Sequence, residues 1–256
     1  MPPRQEQADE RDFVQSLDRG LAVIRAFGDA TPKMTLSEAA LRAGISRAAA
    51  RRLLLTLQRL GYVGTEDGRR FFLRPAVLEL GYAYLAGLPW WREAQRLVGP
   101  LAASLGHPCA VGVLDGSDVV YVAYAAPTPL PGLERAVGTR LPAHATALGR
   151  VLLAGLAEPE AIRAISHLPL QSFTPFTEID REKLIVRLDE VRAAGHCLLD
   201  QELRLGLRSL AVPVTDRSGL TQAAISVSFG VAQPEDPTSL TAMLRDAATQ
   251  IGAGLR

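Results

Sequence analysis

The 256-residue chain carries only two cysteines, Cys109 and Cys197. That is too few for a disulfide framework or a cysteine-rich metal site, and each sits beside an apolar run where a buried thiol is expected. Its four histidines, His107, His144, His167 and His196, are scattered without metal-ligand spacing. No apolar run approaches the length of a membrane span. The opening MPPRQEQADERD has no apolar core of the kind a signal peptide needs, so a cytoplasmic protein with a disordered tail at 1–12 is expected. A phosphate loop is missing, because GLERAVG lacks the Lys-Ser/Thr pair that completes one. His144, Asp200 and Ser226 or Ser228 include the residue types of a hydrolase triad. No G-x-S-x-G elbow is present, however, and Ser226 falls within an apparent strand. Catalysis, a metal and a cofactor are therefore not expected.

Net charge is nearly absent too, at +1, but what charge there is lies unevenly. Residues 1–90 hold thirteen Lys and Arg against ten Asp and Glu (+3), and residues 91–256 hold fifteen against seventeen (−2). Within 42–74 there are eight Arg opposed only by Glu66 and Asp67 (+6). A local basic patch on a near-neutral chain is an electrostatic footprint for phosphate backbones.

That patch surrounds TLSEAALRAGISRAAARRLLLTLQRL, Thr35 to Leu60. Thr35 and Glu38 have capping-box spacing, and Leu36, Ala39 and Ala40 recur at helical intervals up to Gly44, where the chain can turn at little steric cost. Ile45 is placed as an apolar plug and Ser46 as the N-cap of a second helix. Along that helix Ala50, Leu53, Leu54, Leu57 and Leu60 gather on one side. Arg47, Ala48, Arg51, Arg52, Thr56, Gln58 and Arg59 take the other. Arginines at the start of a second helix suit a helix-turn-helix, whose recognition helix enters the major groove where Arg forks onto guanine.

Upstream, Phe13 to Phe27 reads as a helix with Leu17, Leu21, Ile24 and Phe27 as its buried stripe. Downstream, Tyr62 and Val63, a turn at Glu66, Asp67 and Gly68, and the run from Arg69 to Leu73 read as a basic hairpin. A hairpin directly after a recognition helix is a wing, and Arg69 and Arg70 near its tip are placed to reach phosphates or a minor groove. The helix from Pro75 to Leu88 is apolar nearly all round, which predicts a linker that docks on a second copy of itself. Beyond Trp90 and Trp91 come a helix over 92–105 that Gly99 and Pro100 should kink or split, and a hairpin about Asp115 and Gly116. An irregular stretch at 138–144 follows, then helices over 146–156, 159–166 and 179–194. Strands at 196–199, 209–215 and 223–229 and a closing helix over 238–255 complete the chain. Hairpins and helices segregated in this way predict an α+β domain on an antiparallel sheet.

With these residues in view, the chain resembles the IclR family of bacterial transcriptional regulators over nearly its whole length. The likeness rests on SLDRGLAVIRAF, TLSEAALRAGISRAAARRLLLTLQRLGYV, FFLRPAVLELG, GTRLPAHATALGRVLLAGL and GHCLLDQELRLGLRSLAVPVTDRSGLTQAAISVS. The opening FVQSLDRGL, and Gly149-Arg150 where many members have Gly-Lys, are most similar to the PcaR/PobR/PcaU branch, which senses aromatic acids or their ring-cleavage products. The resemblance implies an N-terminal all-α winged helix-turn-helix over 13–75 and a linker and dimerisation helix over 76–90. It further implies a C-terminal GAF-like effector domain with an antiparallel sheet over 91–256, in a dimer or a dimer of dimers.

The family's effector site falls on Ala147 and Leu148 with His144 and Thr146 beside them, on Leu199, Leu207 and Ser209, and on Ser226 and Ser228. Alternation agrees for the last two, which share one face of a strand whose other face carries Ile225, Val227 and Phe229. Relatives that bind a small polar acid carry a carboxylate where Leu199 stands, so an apolar wall here favours a ring-bearing effector. Arg135 and Arg140 are the candidates to meet its carboxylate. The expected partners are palindromic double-stranded operator DNA, contacted by Ser46, Arg47, Ala48, Arg51, Arg52, Arg59, Arg69 and Arg70, and a small organic acid. A regulator of a different small-acid pathway, a module contacting protein rather than DNA, and a hydrolase are the alternatives. The protein-contacting module leaves the arginine face without a purpose.

Overall fold

The computed structural model describes residues 13–28, 31–127, 135–233 and 235–254. The tail expected to be disordered lies outside them. The chain divides into two compact units, Met1–Tyr84 and Leu85–Arg256.

The first unit runs α1 (Gln15–Arg25), β1 (Lys33–Thr35), α2 (Leu36–Arg42), α3 (Arg47–Arg59), β2 (Val63–Thr65) and β3 (Arg70–Leu73). Thr35 and Glu38 form the reciprocal capping box: Glu38 N donates to Thr35 Oγ1 at 3.3 Å and Thr35 N to Glu38 Oε2 at 2.7 Å. Gly44 turns the chain at φ 63°, a left-handed conformation that costs glycine nothing, and Ser46 Oγ then accepts from Ala49 N at 3.2 Å to start α3. Val23, Met34, Ala39, Leu54, Leu57, Val63 and Phe71 form one buried cluster, each larger side chain worth about 1.5–3 kcal/mol of burial.

Three details depart from the sequence reading. In α1 the buried residue is Val23, while Ile24 and Phe27 are half-buried and Leu17 and Leu21 are exposed, Leu17 by 62%. Leu60 is not part of the apolar side of α3, because it is the C-cap and turns outward. Lys33–Thr35 is a third strand beside the wing, pairing Met34 with Phe71 in a sheet ordered β1-β3-β2. Thr35 thus ends a strand and caps a helix at once.

The linker helix is α4 (Val77–Ala86), and none of its residues is buried; Leu78 is 74% exposed. Leu85 and Leu88 pack against the core of the second unit.

The second unit holds α5 (Trp91–Leu105), β4 (Cys109–Asp115), β5 (Asp118–Ala125), β6 (Arg140–Pro142), α6 (Ala147–Ala154), α7 (Glu158–His167), α8 (Arg181–Ala194), β7 (Cys197–Asp200), β8 (Leu207–Thr215), β9 (Thr221–Gly230) and α9 (Pro237–Ala253). The six strands form one antiparallel sheet ordered β6-β5-β4-β9-β8-β7. The period of two sorts side chains between its faces. Val111, Leu210, Val212, Ile225, Val227 and Phe229 join α5 and α9 in one core, and Ala110, Tyr121, Ala211 and Ala224 join α6, α7 and α8 in the other.

Two expectations are corrected here. α5 continues through Pro100 without splitting, since its apolar stripe Ala94, Val98 and Ala102 is held against the sheet along its whole length. The stretch expected to be irregular contains β6, whose Leu141 pairs with Val119, followed by a 3-10 turn over Ala143–Ala145.

Candidate functional site

The basic side chains of the first unit are placed by two local devices. Ser46 fixes the start of α3, so Arg47 and Ala48 stand in its first turn and Arg51, Arg52 and Arg59 follow, all exposed. Asp67 Oδ1 accepts from both Arg69 N and Arg70 N at 2.9 Å and closes the wing turn at Gly68, φ 71°. Those two N–H groups hold the Asp67 carboxyl below the usual carboxylate range. Glu66, the other acid of the patch, pairs with Lys33 Nζ at 2.6 Å. Neither acid takes an arginine side chain. Arg47, Arg51, Arg52, Arg59, Arg69 and Arg70 therefore form no ion pair with any described residue. Leu55, absent from the sequence reading, stands four residues from both Arg51 and Arg59 and is 43% exposed on that face. The arrangement presents a row of free guanidinium groups along one helix and one hairpin, which suits phosphate oxygens and guanine edges.

In the second unit a cavity opens on the α6 side of the sheet. Thr146, Ala147 and Leu148 line it from the start of α6, Leu199 from β7, Leu207 and Ser209 from β8, and Ser226 and Ser228 from β9. Eight of the nine effector-site residues named from sequence thus share one space. The ninth, His144, lies behind that wall: its Nε2 is 2.9 Å from Gln171 O, its ring lies 5.9 Å from Phe173, and its Nδ1 is buried without a partner. Burial holds its imidazole below the usual value, against the opposing pull of the Gln171 carbonyl.

Tyr121, Arg135, Ala145, Glu202 and Leu203 complete the lining. Of the two arginines named from sequence, only Arg135 reaches the cavity. Arg140 pairs with Asp115 at 2.7 Å and Asp118 at 3.2 Å at the exposed end of the β4–β5 hairpin. Glu202 and Tyr121 had no signal in the sequence beyond their residue type, because the turn after β7 and the middle of β5 meet only through the sheet.

Thr146 Oγ1 accepts from Gly149 N at 3.1 Å and donates to Pro142 O, leaving the first amides of α6 at the cavity wall. A helix start of this kind favours an anion. Ser209 Oγ and Ser228 Oγ are 2.9 Å apart, and Ser226 is buried. Arg135 Nη1 donates to Tyr121 Oη at 2.8 Å, and burial raises the Tyr121 phenol above its ordinary value while Arg135 opposes the rise. A second, contiguous lobe adds Pro108, Cys109, Ala110 and Tyr124, and shares Tyr121, Arg135, Leu207 and Ser228 with the first. The space is narrow, with about 20 Å³ open to the centre of a water molecule in the first lobe, so side chains must yield to any ring.

Burial pushes the Cys109 thiol up to about 12, and Cys197 likewise, so neither is a thiolate near neutral pH. Among the described residues no group of three or more His, Cys, Asp or Glu could hold a metal ion, and no helix is long and apolar enough to cross a membrane.

Comparison with known proteins places both units. Residues 16–67 match the family profile described as the IclR helix-turn-helix domain, and residues 82–253 match the bacterial transcriptional regulator IclR C-terminal family. The Pca regulon regulatory protein of Pseudomonas putida is 42% identical over 221 residues, covering 86% of this chain and 76% of its own length. The p-hydroxybenzoate hydroxylase transcriptional activator of Acinetobacter baylyi is 36% identical over 230 residues, covering 88% and 84%. The crystal structure of an IclR homologue from Microbacterium hydrocarbonoxydans, complexed with 4-hydroxybenzoate, shares the fold at a TM-score of 0.83 and 24% identity, covering 94% of this chain and 99% of that one. With both units matched and a relative 42% identical over most of the chain, the chain belongs to the IclR family of transcriptional regulators.

Proposed function

We propose that this protein controls catabolic genes by reading a palindromic operator as a dimer or dimer of dimers, and that it senses an aromatic acid or its ring-cleavage product. The observation that carries the first half is the set of six arginines on α3 and the wing without an acid partner among the described residues. In this reading Ser46, Arg47, Ala48, Arg51 and Arg52 face the major groove. Arg59, Arg69 and Arg70 hold backbone or minor groove. Two copies of α3 meet half-sites about one helical turn apart, or a multiple of it. The dimer reading rests on α4, none of whose residues is fully buried in the single chain and whose Leu78 and Leu80 are exposed.

The cavity on the α6 side of the sheet is the effector site in this reading, and the domain acts by binding rather than by catalysis. Support comes from a helix start, Arg135 and several leucines in one lining, and from the 4-hydroxybenzoate bound by a homologue of the same fold. Effector binding shifts the setting of the two DNA heads only as far as its affinity differs between the two arrangements.

The test is selection of binding sites from a random duplex pool, followed by salt titration of the enriched site. The expected result is a pseudo-palindrome whose affinity falls by orders of magnitude between about 50 and 200 mM salt, and which an aromatic acid shifts. A pool without sequence enrichment, or an affinity indifferent to salt, overturns the reading.

A further inference from the structure

One apolar side chain interrupts the arginine row of the first unit. At about 100° per residue, Ala48, Arg52, Leu55 and Arg59 fall within an arc of about 60° on α3, opposite the buried Ala50, Leu54 and Leu57. Leu55 is 43% exposed and takes no part in the core that Leu54 and Leu57 help to form and against which Leu53 packs. A single exposed leucine is ordinary on a protein surface. This one is set apart by its neighbours. Arg51 one turn before it and Arg59 one turn after it are both exposed, and neither is in an ion pair with a described residue. Leu41 and Leu60, which are more exposed, lie away from that arc, on α2 and at the C-cap of α3.

A helix held in a groove by its arginines desolvates whatever stands among them. Leucine has neither donor nor acceptor, so against a purely polar base edge it would displace water and supply no hydrogen bond in return. The apolar group that the major groove offers is the C5-methyl of thymine. The rise of 1.5 Å per residue sets Leu55 about 6 Å beyond Arg51 and about 10 Å beyond Ala48, or about two and about three base-pair steps.

We propose that Leu55 is a specificity-determining residue of the DNA interface and reads a thymine by its methyl group, about two base pairs from the base that Arg51 meets. The proposal rests on the reading of α3 as the major-groove helix. Leu55 and the methyl cover one another from water. A cytosine in that place presents an amino donor that leucine cannot accept, so the residue selects against cytosine as well as for thymine.

Fluorescence anisotropy of the full-length protein on the operator selected from a random pool tests it. Each thymine of a half-site is replaced in turn by uracil, which removes the methyl and keeps the pairing edge. One thymine per half-site, about two base pairs from the position that Arg51→Ala relaxes, is expected to lose affinity about three- to tenfold as uracil. At that position 5-methylcytosine is expected to bind more tightly than cytosine. In Leu55→Ala the difference between thymine and uracil there should fall below about twofold, with the urea midpoint unchanged. Leu55→Gln keeps a long, helix-favouring side chain and should lose the same preference; it decides the matter should Leu55→Ala fail to fold. Uracil tolerated throughout the half-site overturns the proposal, and so does a penalty that persists in both variants, which would belong to Ala48. Either result leaves α3 in the major groove, which the altered preference of Arg51→Ala reports separately. A pool that yields no enriched site overturns the reading beneath as well.

Discussion

Arg150 Nη2 lies 2.5 Å from Glu202 Oε2, with only 3% of the arginine side chain and 13% of the glutamate side chain exposed. Arg150 Nε also donates to His144 O at 2.9 Å. One buried cation thus fastens the 3-10 turn before α6 and the turn after β7, on two sides of the cavity. The same turn is held by Thr174 Oγ1 donating to Gln201 O at 2.7 Å and Thr177 Oγ1 donating to Glu202 O at 2.5 Å.

Breaking this pair from one side leaves a buried charge uncompensated. Arg150→Met is expected to destabilise the protein by about 3–5 kcal/mol in urea unfolding. Arg150→Met with Glu202→Leu should cost less than the single change, since both charges are then gone. A single variant losing under about 1 kcal/mol contradicts the burial argument.

Gly149 sits in the first turn of α6 against the backbone of Ala143, and a Cβ there would overlap the Ala143 carbonyl. Gly149→Ala should therefore cost about 1–3 kcal/mol and weaken effector binding, because α6 must move out from the turn that places Thr146 and Ala147 at the cavity. Unfolding midpoints and ligand titration measured together check both effects. An unchanged midpoint removes the close approach from the account.

His144 supplies a pH dependence with a definite sign. Its folded-state pKa lies below the ordinary 6.5 because of burial, so the unfolded chain binds the more protons in mildly acid solution. The stability that follows is complete above about pH 6.5 and is lost as pH falls through the folded-state value. Urea midpoints taken from pH 7 to pH 5 should fall more in the unaltered protein than in His144→Gln. Parallel curves would assign the acid sensitivity to other groups.

On the DNA side, Arg51→Ala should weaken operator binding by about 1–3 kcal/mol and relax the sequence preference at one position, if Arg51 reads a base. Arg69→Ala on the wing should weaken all sequences alike and lower the salt slope by about one. Fluorescence anisotropy on the selected site and on one-base variants of it separates the two behaviours.

Leu78 offers the direct test of assembly. It is 74% exposed on a helix without a buried residue, so Leu78→Glu should leave the fold of the single chain intact. On the dimer reading proposed above, analytical ultracentrifugation is expected to show a dimer for the unaltered protein and a monomer for the variant. A variant that sediments as the unaltered protein does would move the interface away from α4.

Much of the first unit was legible in sequence because its devices are local. Capping at Thr35 and Ser46, the turns at Gly44 and Gly68, and the split between Leu54 and Arg51 all act within one helical turn or one hairpin. The alternation that sends Ser226 and Ser228 to one face of β9 is local too, since a strand's period of two needs no partner. What sequence misjudged in the same unit depended on docking. Val23 rather than Leu17 faces the core because the rotation of α1 is set by the elements it packs against, and β1 exists only through its pairing with β3.

By itself, then, the sequence determined the basic helix and wing, the alternating strands and the caps, whose causes lie within a few residues of one another. The tertiary structure alone decided that Arg135 reaches the cavity while Arg140 is engaged by Asp115 and Asp118. It alone placed Tyr121 and Glu202 in that wall and made Arg150 a buried counter-charge to Glu202 across 52 positions of the chain. A side chain's neighbours at that separation follow from strand order and register, and neither is written in the residues that come to touch.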